Sequence, residues 1–341
     1  MDKLILSKDK IPELIRGIID KYQVFAPIDN DGIILFKQIK DPSKINLDFS
    51  NSKVPPKEIL FKQTETLFKF TTGKSAKVNP INIPDEKTVI FGIRPCDAKS
   101  LVILDHVFKG DYEDPYYLTK RKNTVLVGLS CTQPDVNCFC TSFNDGPASA
   151  EHVDVLFTDL GEKYYVEVKN DKGRQLIKNM NKLFTSANEK DEKKKKEVEK
   201  KSVDVITRHM SIDGVVDKLD KIFDNSLWRT IATKCLGCGI CTYLCPTCHC
   251  FDIQDENTLT EGARVRVWDS CMNPEYTLHA SGYNPRPERM NRVRNRVYHK
   301  YNYYPKNYDI VACVGCGRCI ENCPVNIDII DVISQVKGVK H

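Results

Sequence analysis

The chain has 341 residues, 41% hydrophobic and 28% charged, with a formal net charge of +5. That length supports two domains with cores of their own, while no apolar run reaches the length that spans a bilayer and Met1-Asp2-Lys3-Leu4-Ile5-Leu6 turns polar too soon for a signal peptide. The expected compartment is the cytoplasm, and there fifteen cysteines argue for metal ligands rather than disulfides.

In chain order, Leu14, Ile15, Ile18, Ile19 and Tyr22 have the spacing of one helix face. Val24 to Ala26 and Ile33 to Phe36 read as strands joined by a turn over Asp29-Asn30-Asp31-Gly32, and Glu65 to Phe70 reads as a short helix. Thr88 to Ile93 is a continuous apolar run of the kind a buried strand needs. Pro95-Cys96-Asp97 then turns the chain into a helix from Ala98 to Phe108, with Asp97 expected as its N-cap. Thr124 to Leu129 is a second buried strand, so the stretch is a β-α-β unit whose strands should run parallel. Val153 to Thr158 and Tyr164 to Val168 are expected to pair as a hairpin around Gly161.

Lys182 to Arg208 is rich in Lys and Glu and reads as a charged linker helix; beyond it Val215, Val216, Leu219, Ile222 and Phe223 resume a helical pattern. The expected organisation is α+β overall. Residues 1–185 form an α/β domain with a parallel β-α-β unit, 186–210 a charged linker helix, and 211–341 a mostly helical two-cluster ferredoxin-like domain.

Eight of the cysteines fall into two copies of one pattern, C-x2-C-x2-C-x3-C-P. Cys235, Cys238, Cys241 and Cys245-Pro246 make the first; Cys313, Cys316, Cys319 and Cys323-Pro324 make the second. This is the run that holds 4Fe–4S clusters in bacterial two-cluster ferredoxins, where the fourth cysteine ligates the other cluster. Applied here, cluster one takes Cys235, Cys238, Cys241 and Cys323, and cluster two takes Cys313, Cys316, Cys319 and Cys245. Zinc sites use two cysteine pairs rather than a doubled fourfold run ending in Cys-Pro. Such clusters move single electrons, so the chain reads first as an electron carrier. The 68 positions between Cys245 and Cys313 are far more than a compact ferredoxin uses, and the insert is expected to be helical.

Of the remaining cysteines, Cys96 and Cys131 each follow a strand of the β-α-β unit and so sit at the carboxyl edge of adjacent parallel strands, where open α/β sheets bind ligands. Cys138 and Cys140 lie in the loop just after. Four thiols on one edge point to a third 4Fe–4S centre; the alternative is a set of inert structural thiols. Cys248, Cys250 and Cys271 are read as small buried side chains around the clusters, with a metal site completed by His249 or His279 as the lesser reading. Arg286, Arg289, Arg292, Arg294 and Arg296 offset the charge of reduced clusters, dock an acidic partner, or line a solvated helix with surface ion pairs. They lie between cluster motifs and lack aromatics spaced as a stacking platform, so no nucleic-acid partner is expected; nor is a membrane.

The chain resembles the beta subunit of cytoplasmic sulfhydrogenases, NiFe hydrogenases coupled to NAD(P)H, and the iron–sulfur subunit of anaerobic sulfite reductase. The residues that carry the likeness are Gly92-Ile93-Arg94-Pro95-Cys96-Asp97, Cys138-Phe139-Cys140, Cys235-Leu236-Gly237-Cys238-Gly239-Ile240-Cys241, Cys245-Pro246-Thr247-Cys248-His249-Cys250-Phe251, Trp268-Asp269-Ser270-Cys271 and Cys313-Val314-Gly315-Cys316-Gly317-Arg318-Cys319. Tyr22 to Pro27 and Pro55-Pro56-Lys57 extend it over nearly the whole chain. The resemblance implies a non-catalytic wire that exchanges electrons between a flavin subunit oxidising NAD(P)H and a catalytic partner, the small subunit of a NiFe hydrogenase or its equivalent. The iron–sulfur subunit of anaerobic sulfite reductase is the alternative. The lysine-rich stretch near 190–201 and Ala280-Ser281-Gly282-Tyr283-Asn284, where the family tends to carry a Gly-Gly-His-type turn, depart from the pattern.

No G-x-G-x-x-G follows a strand, so no dinucleotide site is evident. FAD on the sheet edge, as in the related-looking α/β domain of deazaflavin-reducing hydrogenase beta subunits, is the minority reading and would make the chain a reductase subunit in its own right. The seven histidines are scattered, without the carboxylate partners of acid–base chemistry.

Overall fold

The computed structural model describes residues 2–83 and 85–340. Its strands, in chain order, are β1 (Asp2–Ser7), β2 (Gln23–Asn30), β3 (Ile33–Ile39), β4 (Thr64–Thr71), β5 (Lys77–Pro80), β6 (Thr88–Ile93), β7 (Thr124–Leu129), β8 (Val155–Asp159), β9 (Lys163–Val168), β10 (Thr185–Ser186), β11 (Phe251–Asn257) and β12 (Glu261–Trp268). They form two sheets, and the chain divides into two units. One comprises Met1–Pro56, Asp85–His209 and Val314–Gly317; the other comprises Lys57–Pro84, Met210–Cys313 and Arg318–His341.

The first unit is built on an eight-stranded sheet in the order β10-β1-β9-β8-β7-β6-β2-β3. Its centre is parallel: β2 pairs with β6, β6 with β7 and β7 with β8, while the flanking pairs are antiparallel. β6 and β7 are apolar and buried nearly throughout, as strands covered on both faces must be. The β-α-β unit is present, with Val89 opposite Val125 and Ile90 opposite Leu126. Leu14, Ile15 and Ile18 of the helix Ile11–Ile19 pack into one core with Val89, Val127 and Val166. The helix after β6 begins three residues earlier than the sequence suggests. Pro95 takes its first position, where a missing N–H does no harm, and Arg94 rather than Asp97 occupies the cap, with no side-chain cap bond. The Val155–Asp159 and Lys163–Val168 hairpin is as expected.

The charged segment is not a free linker. Helix Glu189–Asp204 starts on a reciprocal capping box between Asn188 and Asp191. It lies on this same unit through the ion pairs Lys163–Asp191 (2.6 Å), Lys195–Glu167 (3.1 Å) and Lys3–Glu192 (2.8 Å).

The second unit is less helical than expected. Glu65 to Phe70 is strand, not helix: Thr64, Thr66, Phe68 and Phe70 alternate with Glu65, Leu67 and Lys69, a period of two. The insert between the cysteine motifs opens with the β11–β12 hairpin, and β4 adds to β12 with Phe68 opposite Arg264, giving a four-stranded antiparallel sheet in the order β11-β12-β4-β5. Residues 57–84 thus belong with the C-terminal half of the chain rather than the N-terminal domain. The remaining elements are helices, Val215–Lys221, Leu227–Lys234, Ile240–Tyr243, Arg289–Tyr298, Tyr304–Tyr308, Arg318–Glu321 and Ile329–Gly338, with a π-helical turn over His299–Tyr303. Trp228 is fully buried and its indole donates to Ile222 O over 2.9 Å. No helix among the described residues is long and apolar enough to cross a membrane.

Candidate metal centres

Cys235 ends the helix Leu227–Lys234, and Gly237 and Gly239 follow it with φ of +76° and +74°. A side chain at Gly239 would meet the Tyr243 ring at 3.0 Å and Ser270 Oγ at 3.1 Å, so glycine is required there twice over. The turn aims the Gly237 amide at Cys235 Sγ over 3.3 Å and starts the short helix that carries Cys241. Cys323 follows the helix Arg318–Glu321, with the Ile327 amide donating to its Sγ over 3.2 Å. Cys235, Cys238, Cys241 and Cys323 line one cavity, with Cys319 also on its wall. The rest of the wall includes Ile231, Ile240, Val293, Val297 and Val332. Burial raises the Cys241 thiol, and Arg296 opposes that.

Arg296 is the single Arg or Lys on this wall. It is 8% exposed, and its Nε has no hydrogen-bond partner. A buried guanidinium N–H without an acceptor is costly, and thiolate or sulfide sulfur is the acceptor such a wall calls for. Four soft donors, an apolar lining and an orphaned cationic donor fit an anionic iron–sulfur cluster. Among the described residues no three His, Cys, Asp or Glu side chains converge as they would on a single metal ion; cubane ligands each bind a different iron and stand around a cavity instead.

In the second motif, Cys313 and Cys319 belong to the same unit as Cys245, whereas Cys316 lies in the segment Val314–Gly317 that folds with the N-terminal unit. Cys245 Sγ accepts from Lys300 Nζ over 3.2 Å and lies 3.2 Å from Thr247 Oγ1. A hydrogen bond from Cys248, together with Lys300 and Lys57, holds the Cys245 thiol well below its usual range, and the same partnership raises Cys248. Lys57 is 2% exposed, donates to the carbonyls of Cys245 (2.8 Å) and Cys248 (2.6 Å), and lies 4.4 Å from the Trp268 ring centre.

In the N-terminal unit, Cys96 and Cys131 leave β6 and β7 at the same sheet edge. Arg94 faces both thiols. It is 4% exposed, and its guanidinium donates to Ser50 O (3.1 Å), Leu129 O (3.2 Å), Ser130 O (2.7 Å) and Phe49 O. Cys131, Cys138 and Cys140 act on one another electrostatically, and burial pushes all three thiols up, Cys140 to about 12. Cys316 joins them: Cys138 Sγ lies 3.8 Å from Cys316 O, which also accepts from Asn51 Nδ2 over 2.9 Å. Phe139 N donates to Gly315 O over 2.8 Å.

The other thiols are buried or half-buried. Cys250 and Cys271 hydrogen-bond each other, which with Tyr276 holds Cys250 down to about 6 and raises Cys271. His249 packs edge-on to His299 at 5.1 Å, and burial and that neighbour depress it to about 3. His279 instead packs on Tyr283. Of the five arginines, Arg289 is exposed and Arg286 half-buried, whereas Arg292, Arg294 and Arg296 are each under 10% exposed; Arg292 caps the carbonyls of Met272, Arg286 and Pro287, and Arg294 stacks on Phe223 at 3.6 Å. The burial of Lys57, Arg94 and Lys300 carries no signal in the sequence, because Lys and Arg are ordinarily at the surface; Arg296 is one of the arginines expected to offset cluster charge, and it stands beside Cys241 and Cys319.

A family described as the 4Fe-4S dicluster domain matches residues 234–327. No solved structure matches the chain. Sulfhydrogenase 2 subunit beta of Pyrococcus furiosus is 33% identical over 333 residues, 97% of each chain. A likeness of that depth along the whole length, with the dicluster domain in place, means that the chain belongs to the sulfhydrogenase beta subunit family of 4Fe–4S proteins.

Proposed function

We infer that this chain is the electron-transfer subunit of a cytoplasmic complex, passing single electrons between a flavin subunit that oxidises NAD(P)H and a NiFe catalytic subunit. Cys235, Cys238, Cys241 and Cys323 hold one 4Fe–4S cluster, Cys313, Cys316, Cys319 and Cys245 a second, and Cys96, Cys131, Cys138 and Cys140 a third. The observation that carries this reading is the cavity in which Cys323, remote in sequence, stands with the first three cysteines of the other motif. The clusters supply one-electron chemistry when bound. The chain's own residues supply the rest: Gly237 N and Ile327 N donate to ligand sulfurs, apolar walls exclude water, and Arg296 places a fixed positive charge beside Cys241 and Cys319.

Iron, sulfide and flavin content of the anaerobically purified protein, with whatever subunits accompany it, tests this. About twelve iron per chain and no flavin on this subunit supports three cubanes. About eight removes the N-terminal centre, and one flavin on the isolated chain makes it a reductase instead.

A further inference from the structure

Lys300 is 4% exposed, deep in the second unit. It sits in the π-helical turn His299–Tyr303, which follows directly on helix Arg289–Tyr298. Such turns insert an extra residue and are frequent at functional sites; here Lys300, Tyr301 and Asn302 are buried in succession. An ammonium has three protons to give. Those of Lys300 meet Cys245 Sγ (3.2 Å), Thr247 Oγ1 (2.9 Å) and Ala312 O (3.0 Å). None of these acceptors is a carboxylate, and only the sulfur can carry negative charge. A buried cation needs such a partner, so the site is built around Cys245 as a thiolate.

We propose that Lys300 is a positioning residue that fixes Cys245 as a ligand and raises the reduction potential of the cluster it binds above that of the cluster in the Cys235 cavity. This rests on the two-cluster assignment above. One-electron reduction adds a negative charge while no bond forms or breaks and no proton moves, so a fixed cation hydrogen-bonded to a ligand sulfur favours the reduced state. Lys57, donating to the Cys245 carbonyl, adds to the same side. Arg296 faces ligands of both clusters, Cys241 of one and Cys319 and Cys245 of the other, and also lines the Cys235 cavity, so the proposal rests on Lys300 and not on Arg296. Electrons entering the pair therefore settle on the cluster ligated by Cys245.

The test is an EPR-monitored redox titration of the purified complex carrying Lys300→Met or Lys300→Arg. Lys300→Met should lower the midpoint of one signal, the one that Cys245→Ser abolishes. The expected size is at least a tenfold change in its reduced-to-oxidised ratio at fixed potential, about 59 mV for one electron. The other signal should stay in place, and Lys300→Arg should restore most of the shift. Equal movement of both signals, no movement, or an arginine variant no better than methionine overturns the proposal. Should Lys300→Met not retain iron, Thr247→Val carries the test: it removes the hydroxyl beside Cys245 and one acceptor of Lys300, and must lower the same midpoint by a smaller factor. A wild-type complex with fewer than two 4Fe–4S signals from this chain would instead overturn the two-cluster assignment itself.

Discussion

The Ile327 amide donates to Cys323 Sγ over 3.2 Å, an arrangement that the Gly237 amide repeats with Cys235 Sγ over 3.3 Å. The two sulfurs, 88 positions apart in the chain, line one cavity and are held by the same kind of backbone donor. Cys323→Ser should therefore abolish the EPR signal of the cluster bound by Cys235, Cys238 and Cys241, with loss of about four iron per chain, while the Cys313 cluster survives. Loss confined to the Cys313 cluster would refute the crossed assignment.

Gly315 has φ +65°, and a Cβ there would stand 2.5 Å from the Phe139 carbonyl carbon and oxygen. Left-handed backbone alone disfavours alanine by about 1–2 kcal/mol, and the clash is with backbone that cannot swing away. Gly315→Ala should therefore lower stability beyond that amount in urea unfolding, whereas Gly282→Ala, also at positive φ but with open space around it, should show the backbone effect alone.

Arg94 gathers four carbonyls, from Leu129 at the end of β7, from Ser130 just after it and from the segment 49–50. Arg94→Met keeps much of the volume and leaves those acceptors unsatisfied, so stability should fall by about 3 kcal/mol or more. Arg94→Lys, with a point charge in place of a fork, should recover only part. A midpoint in urea unchanged by Arg94→Met would show that these carbonyls find other partners.

His249 and His299 are depressed to about 3 and about 4. Each stays neutral in the folded chain at a pH where the unfolded chain, with an ordinary histidine near 6.5, binds a proton. The stability they allow is therefore complete above about 6.5 and is lost as pH falls toward their folded values, by up to about 1.4 kcal/mol per pH unit for each. Unfolding measured between pH 7 and 5 should show a slope that His299→Phe reduces; an equal slope in that variant would place the acid sensitivity elsewhere.

Helix Glu189–Asp204 should depend on its cap. Asn188→Ala removes the acceptor for the Asp191 amide (3.1 Å) and should reduce stability by about 1 kcal/mol. Hydrogen exchange over 189–204 should rise with it, since the helix holds to the unit largely by ion pairs.

What can be read in the sequence is what depends on neighbours in the chain. The unbroken apolar runs of β6 and β7 announce buried parallel strands, and the doubled cysteine pattern announces cluster ligation. What cannot be read depends on partners far away. Glu65 to Phe70 carries the local period of a strand, but the edge it pairs with, β12, lies about 195 positions later, and nothing local names that partner. The Lys-rich helix reads as a tether until Asp191 meets Lys163 and Lys195 meets Glu167. The burial of Lys57, Arg94 and Lys300 gives no sign in the sequence because burying a cation is rare and only the finished interior supplies a reason. Spacing assigns Cys316 to its motif, but nothing in the spacing indicates its place beside Cys138.

The pairing of β4 with β12 also bears on inheritance. Strands encoded before the parallel β-α-β unit complete a sheet whose other half is encoded after it. A single crossover in the gene between these stretches would hand β12 to a chain lacking its matched neighbour, leaving a bare strand edge open to aggregation.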